Sequence, residues 1–113
     1  MFILNETIKM IIQLNSDKNI QGGEKFEAFV SRKINSSLRR FSDRITRIEV
    51  HLSDQNASKA GPDDVHCKIE ARVIDLNPII VTGKSNTKEK ALNDAVDKMK
   101  NSLGSVIGKM NSK

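Results

Sequence analysis

Positively charged side chains are the groups in this sequence whose types and spacing could do chemistry. Lysines and arginines number 19 against 14 aspartates and glutamates, which gives the 113-residue chain a formal net charge of +5. The positive excess lies in residues 25–47 and 84–113, whereas residues 48–83 carry net negative charge. A basic surface opposite an acidic one is expected of a protein that binds a polyanion. Charge alone leaves an ordinary solvated surface equally open.

The first basic block has helical spacing. Lys25, Arg32 and Arg39 recur every seven residues, so on a helix they form one stripe on the solvent side. Lys33 and Arg40 form a second row beside the apolar stripe. Five cations on one helix exceed what solubility needs, and we expect them to contact nucleic acid phosphates.

The second basic block begins just before a second predicted helix. Lys84, Lys88 and Lys90 are predicted to cluster at its start, where the helix dipole also favours phosphate. Lys98 follows further along, on a face that two aspartates interrupt. The predicted sheet offers no aromatic side chains for base stacking, so the expected mode is recognition of RNA phosphates by shape and charge.

Catalytic and metal-binding patterns are absent or incomplete in the sequence. Gly83, Lys84 and Ser85 resemble the end of a P-loop, but Pro78 occupies the position of its first glycine. His51 and His66 could be neighbours across a hairpin, yet no third ligand accompanies them, and Cys67 occupies an apolar position. We therefore expect no enzyme activity, metal, cofactor or small-molecule substrate.

The single cysteine and the N-terminal residues bear on the compartment. One cysteine cannot form an internal disulfide, which is compatible with a reducing cytosol. The N-terminal apolar segment has no basic leader or cleavage site, and no run approaches the ~18 to 20 apolar residues that span a bilayer. The expectation is a cytoplasmic protein without a membrane partner.

Hydrophobic periodicity predicts six elements in the order β-α-β-β-β-α. In chain order they cover residues 8–14, 24–41, 46–53, 65–73, 79–82 and 87–110. Each strand has one apolar face and each helix one apolar stripe. The expected fold is an α+β two-layer sandwich, a four-stranded, mostly antiparallel sheet with both helices on one face, in a single domain over residues 1–113.

Two local details follow from the same patterns. Thr46 alternates in phase with Ile48 and is expected to face the core. Asn86, with Glu89 three residues later, is expected to cap the second helix. Residues 55–64 are polar and contain a Gly-Pro bend, which predicts a loop.

Two segments carry a family resemblance. Residues 40–52, R-F-S-D-R-I-T-R-I-E-V-H-L, resemble the helix-to-strand joint of the ribosome hibernation promoting factors, also called ribosome-associated translation inhibitors. Residues 91–103 resemble the second-helix pattern of that family. The order of elements and the length match the short form of the family across nearly the whole chain.

The resemblance implies a cytoplasmic, non-enzymatic protein that binds the small ribosomal subunit in stress or stationary phase. Such proteins lie between the head and body of that subunit, in the channel for mRNA and tRNA, and contact rRNA with basic residues of both helices. They block translation and preserve the ribosome, and we expect a monomer off the ribosome. The helix positions that match are Lys25, Arg32, Lys33, Arg39, Arg40, Lys90 and Lys98.

Two other functions remain open from the sequence. A double-stranded RNA-binding module has a similar αβββα core, and residues 87–91 resemble the basic helix start of that module. A protein-interaction regulator without ribosome binding is the other alternative. Glu89, Asp94 and Asp97, together with a C-terminal end less basic than the family's, favour this last possibility.

Overall fold

The computed structural model describes residues 10–17, 20, 22–54 and 65–111, with the side chains of residues 110 and 111 excepted. The elements follow the predicted order β-α-β-β-β-α. They are β1 (Ile11–Ser16), α1 (Glu24–Ser37), β2 (Ile45–Asp54), β3 (Val65–Val73), β4 (Ile79–Ser85) and α2 (Lys88–Asn111), with a 3-10 turn at Arg39–Phe41. The predicted loop at 55–64 and the first two residues of the first predicted strand lie outside the described residues.

The four strands form a mixed sheet in the order β1-β2-β3-β4. β1 runs parallel to β2, while β2 with β3 and β3 with β4 are antiparallel. A parallel pair needs a crossover connection, and α1 lies within the one that joins β1 to β2. The predicted α+β architecture with a mostly antiparallel sheet is confirmed.

Both helices pack on one face of the sheet, and the other face is open. Along β3 every second residue from Val65 to Val73 is buried, as strict alternation predicts. Helix α1 contributes Phe26, Val30 and Ile34 to the core. The buried stripe of α2 consists of Ala91, Leu92, Ala95, Val96, Met99, Leu103 and Ile107. Among the described residues no polar or charged side chain is buried, so the core is apolar throughout.

Strand β2 begins with an irregularity that the sequence pattern does not reveal. Alternation predicts Thr46 on the core face, but Thr46 is exposed and Ile45 is buried in its place. The pairing with β3 shifts between Ile45 and Arg47, which is a β-bulge that adds one residue to the strand. The Thr46 hydroxyl donates a hydrogen bond to the Arg72 carbonyl over 3.3 Å. The prediction for Thr46 was wrong for this reason.

Helix α1 is shorter than its periodicity predicts. Gly23, with a φ of 129° that L side chains rarely adopt, precedes the first turn. The helix ends at Ser37, and the chain tightens into the 3-10 turn. Leu38 and Phe41 are both buried, and a 3-10 turn places residues three apart on the same side. The predicted continuous helix to residue 41 was therefore wrong over its last turn.

Helix α2 is capped by a residue other than the predicted one. The Thr87 hydroxyl oxygen accepts a hydrogen bond from the Lys90 backbone N–H over 3.1 Å, which is the geometry of an N-cap. Asn86 instead accepts a hydrogen bond from the Ser85 hydroxyl over 3.3 Å. The predicted cap at Asn86 was wrong by one residue.

Gly83 brings the backbone of β4 directly against α2. A Cβ atom on Gly83 would lie 2.4 Å from the Ala95 backbone nitrogen and 2.5 Å from the Ala91 carbonyl oxygen. No side chain fits that space, so glycine allows the helix to sit close over the strand. This contact fixes α2, and the cations that it carries, relative to the sheet.

Candidate nucleic-acid interface

The two helices lie side by side and run in the same direction. β4 is parallel to β2 because two antiparallel pairings separate them. α1 leads into β2 and α2 follows β4, so both helices run back along the sheet. Near the helix starts, the Lys88 ammonium lies 4.5 Å from the Phe26 ring centroid. Further along, Arg40 approaches Gly104. The cations near the contact between the two helices, among them Lys88 and Arg40, therefore share one side of the molecule.

The cations of the first block remain on the surface despite the early end of α1. Lys25 and Arg32 are exposed on the helix, and Lys33 is half-buried beside the core stripe. Arg39 and Arg40 belong to the 3-10 turn and are also exposed. The heptad spacing thus places Lys25 and Arg32 on one helix face, whereas Arg39 is carried by the turn that follows.

Arg40 links the 3-10 turn to α2. Its guanidinium carbon lies 4.6 Å from the centroid of the Phe41 ring, a cation–π contact. A Cβ atom on Gly104 would lie 3.1 Å from Arg40 Nη2, so the guanidinium rests close to the helix at that glycine. Sequence reasoning missed this contact. Its signal was a glycine inside a helical pattern, which often marks a close approach.

At the start of α2 two lysines have different surroundings. Lys88 is half-buried over the Phe26 ring, and its ammonium is attracted to the π-electrons of that ring. Lys90 is exposed in the first turn, where the unpaired N–H groups of a helix favour an anion. The structure therefore places Lys90 at the surface and Lys88 between the two helices.

Lys84 and Lys98 lie apart from this helix surface. Gly83 faces α2, so alternation directs Lys84 to the open face of the sheet. The Lys98 ammonium donates a hydrogen bond to the Thr82 carbonyl over 2.9 Å and lies 3.3 Å from Asp94. Asp94 also accepts a hydrogen bond from the Lys84 backbone N–H over 3.1 Å. Asp94 and Lys98 thus provide hydrogen-bond partners for backbone groups at the outer edge of β4.

Ion pairing differs sharply between the two faces of the molecule. On the open face the carboxylate oxygens of Glu49 lie 3.8 Å from side-chain nitrogens of Arg47, Arg72 and His51. A guanidinium nitrogen of Arg72 also lies 3.6 Å from a carboxylate oxygen of Glu70. Within the described residues, no ion pair involves a cation of α1 or of the 3-10 turn. These cations present their charge to solvent or to a polyanion.

The described residues hold no group of three or more potential metal ligands among histidine, cysteine, aspartate and glutamate. Burial, together with the smaller effect of the nearby negative charge of Asp94, raises the pKa of the Cys67 thiol from 9.0 to about 12. A thiol that keeps its proton is a poor nucleophile, which fits the predicted core position.

No described helix is long and apolar enough to cross a bilayer.

Comparison with protein families identifies the chain. The sequence profile described as "Sigma 54 modulation protein / S30EA ribosomal protein" matches residues 14–111. The chain belongs to this family. The match covers both segments, at 40–52 and 91–103, on which the predicted resemblance rests, and that prediction is confirmed. No curated protein matches the chain with significant sequence similarity.

Solved structures share the fold of this S30EA family member. The N-terminal domain of Protein Y from Thermus thermophilus superposes with a TM-score of 0.68 at 16% identity, over 86% of this chain and 99% of that domain. A ribosomal subunit interface protein from Coxiella burnetii gives a TM-score of 0.66 at 14% identity, over 92% of this chain and 100% of that protein. At such identities the likeness shows the fold.

Proposed function

We propose that this S30EA family member binds the small ribosomal subunit through rRNA and silences translation in stress or stationary phase, acting in the cytoplasm without catalysis. The proposed RNA contacts are the cations that the structure leaves on the helix side: Lys25, Arg32, Lys33, Arg39, Arg40, Lys88 and Lys90. Lys84 and Lys98 have lower priority, because one lies on the open sheet face and the other serves the β4 edge.

The absence of ion pairs around the cations of α1 and the 3-10 turn, within the described residues, carries this proposal. By contrast, Arg47 and Arg72 on the open face have carboxylate partners at 3.6 to 3.8 Å. Positive side chains grouped without counter-charges attract phosphates, and binding then releases the counterions of the RNA. The name of the Coxiella relative, a ribosomal subunit interface protein, and the family description point to the ribosome as the source of that RNA.

The test is co-sedimentation of the purified protein with small ribosomal subunits over a series of salt concentrations. The variant Arg32→Gln/Arg39→Gln removes two exposed helix-side charges without burying anything. The slope of log K against log salt is negative, and each lost phosphate contact makes it shallower by roughly 0.7 to 0.9. The double variant is therefore expected to reduce the magnitude of the slope by about 1.5.

The matched control is Lys68→Gln/Arg72→Gln, which removes the same charge from exposed positions on the open face of β3. This control is expected to change the slope by less than about 0.5, since neither residue would contact rRNA. Equal losses in both variants would show that only net charge matters and would reject the helix-side interface. Equal avidity for a plain RNA duplex would favour a double-stranded RNA binder instead.

A further inference from the structure

The open face of the sheet contains a shallow depression that the helix-side interface does not use. Its volume is about 340 Å³, within the range of small-molecule sites. The described residues that line it are His51, Leu52, Ser53, His66, Lys68 and Thr82. All six come from the three strands β2, β3 and β4. The sequence raised only the two histidines as possible neighbours, and the strand register places them diagonally across the hairpin rather than opposite each other.

Strand register brings the polar groups of the depression together. His51 of β2 lies opposite Lys68 of β3, and Lys68 in turn lies opposite Thr82 of β4. One row further along, Ser53 lies opposite His66. Directly opposite side chains are about 4.5 to 5.5 Å apart at Cβ, so these groups surround one small space. Lys84 lies opposite His66 on β4 and adds a second ammonium beside that space.

The described residues that line the depression are rich in hydrogen-bond donors and include no carboxylate. The Lys68 ammonium, the two imidazoles and the Thr82 hydroxyl can donate to an anion. Two carboxylates lie beside the lining: Glu49, which is 3.8 Å from His51 and is shared with Arg47 and Arg72, and Glu70, which is paired with Arg72. Among the described residues, the open face thus has one end of mutually paired charges and another end with excess positive charge.

We propose that this depression binds a compact phosphate-bearing anion of about the size of pyrophosphate. Among the described residues the lining has no Phe, Tyr or Trp ring, and its imidazoles are the rings available to a nucleobase. Three strands at a spacing of about 4.8 Å span only about 10 Å, which accommodates one or two phosphate groups rather than a track for an RNA strand. The site is independent of the proposed ribosome contact, because α1 and α2 cover the opposite face.

The test is an NMR titration of the full chain with pyrophosphate, following backbone amides and histidine ring resonances. Saturable shifts are expected at His51, His66, Lys68 and the neighbouring residues of β2 and β4. The variant Lys68→Gln should weaken binding about tenfold, because it removes a charge-assisted hydrogen bond. His66→Gln provides a second variant at the site, and retention of the wild-type amide spectrum verifies the fold of each.

The matched control is Lys100→Gln, which removes an exposed charge from α2. It should leave pyrophosphate affinity within about twofold, since that charge is screened across the molecule. A Lys68→Gln variant that binds as tightly as wild type, or shifts that spread equally over the helix cations, would overturn the proposal. Tighter binding of an RNA oligonucleotide at the same resonances would also overturn it, because the occupant would then be a nucleic acid strand.

Success or failure of the pyrophosphate titration leaves the ribosome co-sedimentation result untouched, so the two proposals are separable.

Discussion

Substitution of Gly83 by alanine tests the close contact that positions α2. The added Cβ would lie 2.4 Å from the Ala95 nitrogen, about 1 Å short of the ordinary contact distance of 3.4 Å. Both nearest atoms belong to the helix backbone, so no side chain can rotate away and β4 must separate from α2. Overpacking of this kind lowers the free energy of unfolding by about 1 to 3 kcal/mol. We expect a decrease of about 3 kcal/mol here, because the backbone must move.

Two other glycines, Gly104 and Gly108, lie in α2, and their substitution by alanine provides controls. A Cβ on Gly108 meets no atom within 4 Å, so Gly108→Ala should stabilise the protein by about 0.5 to 1 kcal/mol through helix propensity alone. A Cβ on Gly104 meets Arg40 Nη2 at 3.1 Å, the end of a flexible side chain. Gly104→Ala should therefore gain less than Gly108→Ala, and it should displace the Arg40 guanidinium from the helix.

The assay is urea unfolding of the three variants and the wild type, followed by far-ultraviolet circular dichroism. The expected order of stability is Gly108→Ala above wild type, Gly104→Ala between them or near wild type, and Gly83→Ala far below. If Gly83→Ala unfolds within about 0.5 kcal/mol of the wild type, the backbone contact between β4 and α2 does not exist as described. A Gly108→Ala variant as unstable as Gly83→Ala would mean that α2 itself is misplaced.

Two other predictions concern the core thiol and the helix cap. The thiol of Cys67 ionises near pH 9.0 when unfolded but near 12 when folded. Raising the pH above about 9 therefore stabilises the unfolded chain, and the free energy of unfolding should fall by up to about 1.4 kcal/mol per pH unit more than in Cys67→Ala. Equal slopes in urea unfolding between about pH 9.5 and 11 would contradict this burial. Thr87→Ala should cost about 1 kcal/mol by loss of the N-cap, whereas Asn86→Ala should change stability by less than about 0.5 kcal/mol, in the same assay at neutral pH.

Periodicity predicted the elements because most of this chain obeys a single local rule per element. β3 alternates without exception from Val65 to Val73, and the structure buries those alternate residues. The bulge in β2 was not predictable in this way, because it arises from pairing with β3 across the hairpin. Likewise, the tight turn after α1 depends on Leu38 and Phe41 meeting the core together, which a helical wheel cannot show.

The candidate site was predictable as a set of charges but not as a surface. Helical spacing placed Lys25 and Arg32 on the solvent side of α1, where the structure has them. Lys84 shows the limit of that reasoning, because proximity in sequence to α2 placed it beside the helix. The close contact at Gly83 makes Lys84 the next residue of an alternating strand, and alternation directs it to the opposite face.

The uneven pairing of cations has a physical consequence for the free protein. Arg47 and Arg72 share Glu49 on the open face, so their fields largely cancel within a Debye length of about 8 to 10 Å. Within the described residues, Arg32 and Arg39 have no such partner, and grouped cations repel one another. Interspersed pairs of opposite charges would keep the protein equally soluble without this repulsion between like charges. The helix side therefore carries a repulsion that the proposed binding of a phosphate backbone would relieve, so the charges that weaken the free fold would be the same ones that favour the proposed complex.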